Sequence, residues 1–352
     1  MSKKQLIPGL AALLLALGTA QAWAEIVSGA GSSAAAPIYR SWGAAYEKAT
    51  GSKLAYESAG SSAGLRKIRA AEVGYGASDV APSEPELKKD GLVVFPIAIT
   101  GIAPVVNLPR LADGQLRLTG HVLARIYLGQ LTQWNAAEIA QLNPGLALPA
   151  LPIKVVVRSD GSGTTYNYTD YLAKVHPDWQ GRYGVKTSIA WPEPFLAVKG
   201  SEGVARAVGE TVGAIGYVDF GYVREHRLNP VQLQNAAGEF LAPSNEGFRA
   251  ALNASDWVRS GNFTSTLTQL PGRGVWPLTM GTFALVPQVS GKPEETVQAL
   301  KFLVWSFMHG DELVQQSNFV RLPNRVQAAA FKVIASVRDR AGTPIGMQVS
   351  GF

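Results

Sequence analysis

The chain contains no cysteine, only four histidines and few charged residues, which make up 16% of its 352 residues. Without cysteine there is no disulfide, no thiolate metal site and no thiol nucleophile. The fold must therefore rest on its hydrophobic core, and about 330 residues at 47% hydrophobic content are enough to form one.

The most continuous hydrophobic stretch lies at the amino terminus. Lys3 and Lys4 precede the apolar residues 6–17, and residues 20–24 read Ala-Gln-Ala-Trp-Ala. This order is typical of a cleavable secretory signal, and the stretch is short for a membrane span. We predict a signal peptide at residues 1–24, with cleavage before Glu25 or, alternatively, before Trp23. A further alternative is an uncleaved anchor.

Charge and cysteine content also bear on location and partners. With no cysteine to carry a lipid after the signal, we expect a freely diffusing, monomeric periplasmic protein. The formal charge is +6, and it becomes +4 once the predicted signal is removed. The basic residues are scattered, with no polybasic run and no aromatic-basic motif. We therefore expect attraction of small anions and no nucleic-acid partner.

Short apolar runs alternate with helical periodicity along the chain, which predicts an α/β fold. Asn135, with glutamate three residues later, is predicted to cap a helix. The predicted helices are 37–50, 63–71, 119–128, 135–142, 164–176 and 293–308. The predicted strands are 53–57, 93–99, 105–107, 154–158, 214–218 and 283–286, with a hairpin over 231–241.

The length favours two lobes over one doubly wound unit. Two apolar stretches, 93–108 and 276–286, are candidate crossovers between the lobes. We predict a discontinuous first lobe of residues 25–98 and 281–352, and a second lobe of residues 99–280. A chain that leaves through one crossover and returns through the other would have a cleft between its lobes.

Three apolar runs break into Gly/Ser/Thr-rich turns that open helical segments. The turns are residues 28–33 (Ser-Gly-Ala-Gly-Ser-Ser), 60–64 (Gly-Ser-Ser-Ala-Gly) and 158–165 (Arg-Ser-Asp-Gly-Ser-Gly-Thr-Thr). A helix N-terminus offers unpaired N–H groups and a partial positive charge, and glycine lets an anion approach the backbone. One such turn means little because Ser and Thr are ordinary N-caps. Three of them favour a converging oxyanion site.

The third turn adds a charge. Arg158 ends an apolar run, where its planar guanidinium could form two parallel bonds to one edge of a tetrahedral anion. Asp160 could hold that guanidinium in place. Ser162, Gly163 and Thr164 would add hydroxyl and N–H donors at the next helix start. The alternative is a structural Arg–Asp pair beside an N-cap.

Asp79 ends the segment 74–79, Gly-Tyr-Gly-Ala-Ser-Asp. An ionised carboxylate only accepts hydrogen bonds, so it suits an anion that keeps a proton. Phosphate keeps one near neutral pH, and sulfate does not. The alternative is that Asp79 caps the helical segment that begins near Ser83.

Residues 60–64 also match the G-x-S-x-G nucleophile elbow, which makes a secreted hydrolase using Ser62 an alternative function. No candidate histidine follows a strand in a Gly-rich loop, which disfavours a triad; the four are His121, His176, His226 and His309. The chain has no His-x-x-x-His and no calcium-type Asp-x-Asp loop, so we predict no metal or other cofactor.

Taken together, these segments resemble the periplasmic phosphate-binding proteins of ABC transporters. The resemblance covers essentially the whole chain after the predicted signal. It rests on residues 29–33 with 37–39, 60–62, 76–79, 126–129 with Trp134, 142–145, 158–164 and 213–218. It implies a two-lobed Venus-flytrap receptor that binds inorganic phosphate, passes it to a membrane-embedded ABC permease and has no catalytic activity.

By position, the resemblance implies phosphate ligands from both lobes. Serine stands at 33, where the family often has threonine, and alanine stands at 34, where phenylalanine is common. The hydroxyl and the backbone N–H survive these changes, whereas the aromatic wall does not. A narrower alternative is the same fold tuned to sulfate or molybdate, against which Asp79 argues. The implied ligands are Ser33, Ala34, Ser61 and Asp79 of the first lobe and Arg158, Ser162, Gly163 and Thr164 of the second, with Asp160 bracing Arg158.

Overall fold

The computed structural model describes residues 25–349. The predicted signal peptide, residues 1–24, lies outside the described residues. Strands and helices alternate along the described chain, which confirms the predicted α/β class. Within residues 25–349, no helix has both the length and the apolar character needed to cross a bilayer.

The elements are numbered in chain order. The strands are β1 (Ile26–Gly31), β2 (Lys53–Ser58), β3 (Tyr75–Ser78), β4 (Leu92–Val106), β5 (Arg117–Leu118), β6 (Lys154–Arg158), β7 (Leu196–Val198), β8 (Ala214–Asp219), β9 (Asn229–Pro230), β10 (Gln232–Gln234), β11 (Phe240–Leu241), β12 (Thr279–Pro287), β13 (Val289–Ser290) and β14 (Arg338–Asp339). The helices are α1 (Ala36–Thr50), α2 (Ser61–Arg69), α3 (Glu84–Asp90), α4 (Gly120–Tyr127), α5 (Ala137–Leu142), α6 (Gly163–Val175), α7 (Pro177–Arg182), α8 (Gly200–Glu210), α9 (Phe220–Glu225), α10 (Asn245–Ala254), α11 (Asp256–Arg259), α12 (Pro293–His309), α13 (Asp311–Gln316) and α14 (Asn324–Ala335), followed by a 3-10 turn at Ile345–Val349.

Nine strands form one sheet, in the order β2-β1-β3-β12-β4-β8-β6-β7, with β9 also pairing with β4. Residues 92–101 of β4 pair with β12, and residues 102–106 pair with β8. We call the strands from β2 to the start of β4 the first half of the sheet, and those from the end of β4 to β7 the second half. The predicted lobe boundaries, 98/99 and 280/281, fall inside β4 and β12, and the division into lobes stays a prediction.

Most predicted elements are present, but two details were wrong. The strands predicted at 93–99 and 105–107 are one strand, β4, because the residues between them also pair with β12 or β8. The predicted cap Asn135 is exposed, and α5 begins after Ala136 without a side-chain cap. Glu138, the expected partner of the cap, pairs with Arg125 instead. The predicted hairpin at 231–241 is confirmed as β10 and β11.

Buried and half-buried aromatic side chains hold two helices on the sheet. In the first half, Tyr39 of α1 stacks on Tyr56 of β2 at 4.4 Å and lies 5.4 Å from the ring of Tyr75 in β3. In the second half, Tyr168 of α6 stacks on Tyr217 of β8 at 4.1 Å. Such pairs add about 0.5–1.5 kcal/mol to the free energy gained by burial. These pairs hold α1 and α6 against the sheet, so that the first turns of both helices lie next to the candidate site.

Candidate functional site

The three predicted Gly/Ser/Thr-rich turns lie at strand-to-helix junctions in the order predicted, but the first is shorter than predicted, because residues 28–31 belong to β1 and only Ser32 and Ser33 follow the strand. They follow β1, β2 and β6 and lead into α1, α2 and α6. Backbone hydrogen bonds join neighbouring turns, from Gly60 N–H to the Gly31 carbonyl at 2.8 Å and from Ser62 N–H to the Gly161 carbonyl at 3.1 Å. The second of these bonds links the first half to the second half. The turns therefore meet around one place.

Asp79 follows β3 directly and is only 3% exposed. Its Oδ2 accepts a hydrogen bond from Ser32 Oγ at 2.7 Å, and its own N–H donates to Ser61 Oγ at 3.1 Å. Burial raises the pKa of Asp79 to about 6, even though Ser32, Thr282 and the charge of Arg158 act to lower it. Within residues 25–349, its Oδ1 is buried and has no hydrogen-bond partner. That oxygen can accept a hydrogen bond from a protonated ligand.

Arg158 ends β6 and is 3% exposed. Its Nε and Nη2 donate to Oδ1 and Oδ2 of Asp160 at 2.7 and 2.5 Å, and Gly200 N–H donates to the same carboxylate at 3.0 Å. Burial raises the pKa of Asp160, but the hydrogen bonds and charge of Arg158 outweigh it and hold that pKa below its usual value. Nη1 has one long contact, 3.4 Å to Ser201 Oγ. The two N–H groups of Nη1 therefore remain largely available to a ligand.

The N-terminus of α6 supplies a second set of donors. Ser162 is the N-cap, and its Oγ accepts the N–H of Thr165 at 3.1 Å, which leaves its hydroxyl hydrogen free to donate. Thr164 Oγ1 is buried without a partner within the described chain. A Cβ on Gly163 would lie 2.7 Å from Asp79 Cβ, so the two halves come this close only because residue 163 is glycine. The first N–H groups of α6 also have no partner inside the helix.

The remaining predicted ligands lie in the turns of the first half. Ser33 and Ala34 are buried just before α1, and Ser61 is the first residue of α2. Ser61 Oγ lies 3.5 Å from Oδ2 of Asp79. Ser33 Oγ lies 3.0 Å from Oγ of Ser201 in the second half. The structure therefore brings the eight predicted residues and Asp160 together.

Three polar residues of this cluster were missed in the sequence. Ser201 is the second residue of α8, which follows β7. This strand–turn–helix pattern is like the other three, but β7 has only three residues and is too short to stand out in the sequence. Ser32 lies in the first turn, beside the predicted Ser33. Asn167 lies inside α6, and its Nδ2 donates to the Asp79 carbonyl at 2.8 Å. No sequence signal marks that long-range contact.

The alternatives open at Ser62 and Asp79 gain no support from this geometry. Among the described residues, no histidine hydrogen bonds to Ser62; the four contact other groups, with His121 on His176, His226 on Glu202 and His309 on Trp305. The helix-cap role for Asp79 is wrong, because Ser83 caps α3 in a capping box with Glu86. Within the described residues, no cluster of three or more acidic or histidine side chains could hold a metal ion.

Comparison with known proteins first defines the class. A family profile described as a PBP superfamily domain matches residues 18–278. A solved phosphate-binding protein from Stenotrophomonas maltophilia is similar with a TM-score of 0.68 at 18% identity, over 94% of this chain and 99% of that one. An ABC-type phosphate transport receptor from Vibrio cholerae gives 0.54 at 19% identity, over 84% and 100%. The chain thus has the fold of the periplasmic binding protein superfamily.

Sequence relatives then define the family. The phosphate-binding protein PstS of Xylella fastidiosa is 42% identical over 297 residues, which are 84% of this chain and 81% of that protein. The protein of the same name from Haemophilus influenzae is 41% identical over 311 residues, which are 88% and 93%. The chain belongs to the phosphate-binding protein PstS family.

Proposed function

We propose that this protein captures inorganic phosphate between the two halves of its sheet and delivers it to an ABC-type permease. The observation that carries the proposal is the buried Oδ1 of Asp79, which has no hydrogen-bond partner among residues 25–349 and belongs to a residue that lies against Ser61 of the first half and Gly163 of the second. Support also comes from relatives that are 41–42% identical and are named phosphate-binding proteins.

The chemistry of the cluster suits a tetrahedral anion that carries a proton. Arg158 and the N-terminus of α6 compensate its negative charge, and the hydroxyl groups donate to its oxygens. Asp79 accepts a hydrogen bond from the protonated oxygen of the ligand, and sulfate has no such oxygen near neutral pH. The proposed ligands are Ser33, Ala34, Ser61, Asp79, Arg158, Ser162, Gly163 and Thr164, with Asp160 holding Arg158.

The proposal extends to location and partners. The predicted signal at residues 1–24 would direct the protein to the periplasm, where it would act as a monomer that docks transiently on the permease. The two lobes would be residues 25–98 with 281–352, and residues 99–280. This family consists of substrate-binding transport proteins, which are not enzymes, and this argues against the hydrolase alternative.

A calorimetric titration of the purified chain tests the proposal directly. Phosphate and its isostere arsenate should bind with similar affinity at pH 7.5, and sulfate should not bind. Sulfate binding that equals phosphate binding would contradict the role given to Asp79. A fluorophosphonate probe that labels wild type but not Ser62→Ala would contradict the absence of catalysis.

A further inference from the structure

Ser201 lies between two proposed ligands that belong to opposite halves of the sheet. It is 1% exposed and is the second residue of α8. Its N–H donates to Ser33 Oγ at 3.1 Å, and the two hydroxyl oxygens are 3.0 Å apart. Nη1 of Arg158 donates to Ser201 Oγ at 3.4 Å. One residue thus connects the first turn with the guanidinium.

The direction of these hydrogen bonds follows from what each group can donate. Arg158 has no acceptor, so Ser201 Oγ accepts from it. If Ser33 donated its single hydroxyl hydrogen to Ser201, it would face an anion with only its lone pairs. If Ser201 donates to Ser33 instead, the Ser33 hydrogen stays free for the anion. Only the second direction makes Ser33 a ligand.

We propose that Ser201 is a positioning residue that orients the Ser33 hydroxyl as a donor and holds it against the second half in the phosphate-bound state. The inference rests on the proposed function, since it concerns the same anion. The bonds run from Arg158 through Ser201 to Ser33 and then to the ligand, and hydrogen bonds arranged in such a chain strengthen one another. Because Ser201 and Ser33 lie in opposite halves, their contact forms only when the halves close, and its loss should speed ligand release.

A double-mutant cycle on phosphate affinity tests the inference. Ser201→Ala should weaken binding about tenfold, mainly through faster dissociation. Ser33→Ala should cost at least as much. The double variant should be little worse than Ser33→Ala, because Ser201 acts through Ser33. Ser290→Ala is the matched control: Ser290 is also 1% exposed, lies 2.8 Å from Thr296 Oγ1, accepts an N–H at 3.0 Å and is remote from the site.

The outcomes separate this inference from the proposed function. If wild type binds no phosphate, both are overturned. If wild type binds phosphate but the losses at Ser201 and Ser33 simply add, or Ser201→Ala binds like wild type, the inference alone is overturned. An equal loss in Ser290→Ala would show a general stability effect and would also overturn it. A normal thermal transition of each ligand-free variant is expected.

Discussion

Asp79 links ligand choice to pH at the scale of a single residue. Its pKa is about 6, so it is mainly ionised at pH 7.5 and mainly protonated at pH 5. An ionised Asp79 repels an anion without a proton, whereas a protonated Asp79 can donate to it. We therefore expect wild type to reject sulfate at pH 7.5 and to lose part of that discrimination as the pH falls through 6.

Asp79→Asn separates this effect from other pH effects. The amide keeps the shape and adds a donor, so sulfate binding should improve relative to phosphate at pH 7.5. The phosphate-to-sulfate affinity ratio of the variant should change less between pH 7.5 and pH 5 than that of wild type, because the amide does not titrate and only the ionisation of phosphate itself remains. Calorimetry at both pH values measures the ratio. A variant that discriminates as sharply as wild type would show that Asp79 does not sense the ligand proton.

Arg158 should contribute more to affinity than any other single side chain. A charge-assisted hydrogen bond is worth about 1.5–3 kcal/mol, and two such bonds to one anion about twice that, so Arg158→Ala should weaken phosphate binding at least about 100-fold. Arg158→Lys should recover only part, because an ammonium cannot reproduce the planar fork. Arg125→Ala removes another half-buried guanidinium, paired with Glu138, and should bind normally. Wild-type affinity in Arg158→Ala would contradict the site.

The sequence identified residues whose role is visible locally. Arg158 ends an unbroken apolar run that matches β6 residue for residue, and the turns after β1 and β2 carry clear Gly/Ser patterns. It did not identify Asn167 or Ser201, because these act through contacts with residues far away in the chain. It also misassigned Glu138, whose partner proved to be Arg125 on another helix.

At the scale of elements, the approach of α6 to β3 depends on Gly163. A Cβ there would lie 2.5 Å from Ser61 Oγ and 2.7 Å from Asp79 Cβ. Gly163→Ala should therefore keep the halves apart and weaken phosphate binding by about 1–3 kcal/mol, the usual cost of overpacking. Gly181→Ala, in α7 with no atom within 4 Å of its Cβ, is the control and should leave affinity unchanged. Similar affinities in the two variants would argue against this close approach.

The start of α9 contains a second buried carboxyl group. Asp219 ends β8, caps α9 through Gly221 N–H at 2.8 Å and lies 2.5 Å from Thr100 Oγ1 of β4. Burial raises its pKa to about 8, and the charge of Asp79 adds to this shift. The folded protein thus holds a proton that the unfolded chain loses above about pH 4. Stability from this group is complete below pH 4 and is lost as the pH rises through 8.

Asp219→Asn should remove that slope, because an amide can bond to both partners without titrating. Relative to the variant, wild type should lose up to about 1.4 kcal/mol of unfolding free energy per pH unit between pH 4 and 8. Denaturant titrations of both proteins at pH 5, 7 and 9 measure the difference. Parallel pH profiles would show that Asp219 is ionised at neutral pH.

Among the elements, length decided what the sequence could predict. Long or unbroken segments such as α1, α12 and β6 were predicted to within a few residues. Short or half-exposed elements, such as β7, have no clear repeat of apolar residues in the sequence. The continuity of β4 was missed because its pairing partners, β12 and β8, are far away in the chain.

At the scale of the whole molecule, the described residues form hydrogen bonds between the halves around the site, such as Ser62 N–H to the Gly161 carbonyl, Ser201 N–H to Ser33 Oγ and Asn167 Nδ2 to the Asp79 carbonyl. Each of these hydrogen bonds contributes about 1 kcal/mol net, so without a ligand they stabilise the closed form only weakly. Phosphate, which would contact both halves, should shift the protein towards the closed form. Small-angle scattering should then give a smaller radius of gyration with phosphate. An unchanged profile at saturation would mean that the empty protein is already closed.

The place of β12 in the sheet has a consequence for the order in which the protein can be built. β12 lies between β3 and β4, although residues 279–287 are synthesised long after both. A growing chain therefore cannot complete the first half until most of it has left the ribosome. A nascent chain whose sheet stays incomplete for so long can still pass unfolded through a membrane channel, which fits the proposed export of this protein to the periplasm.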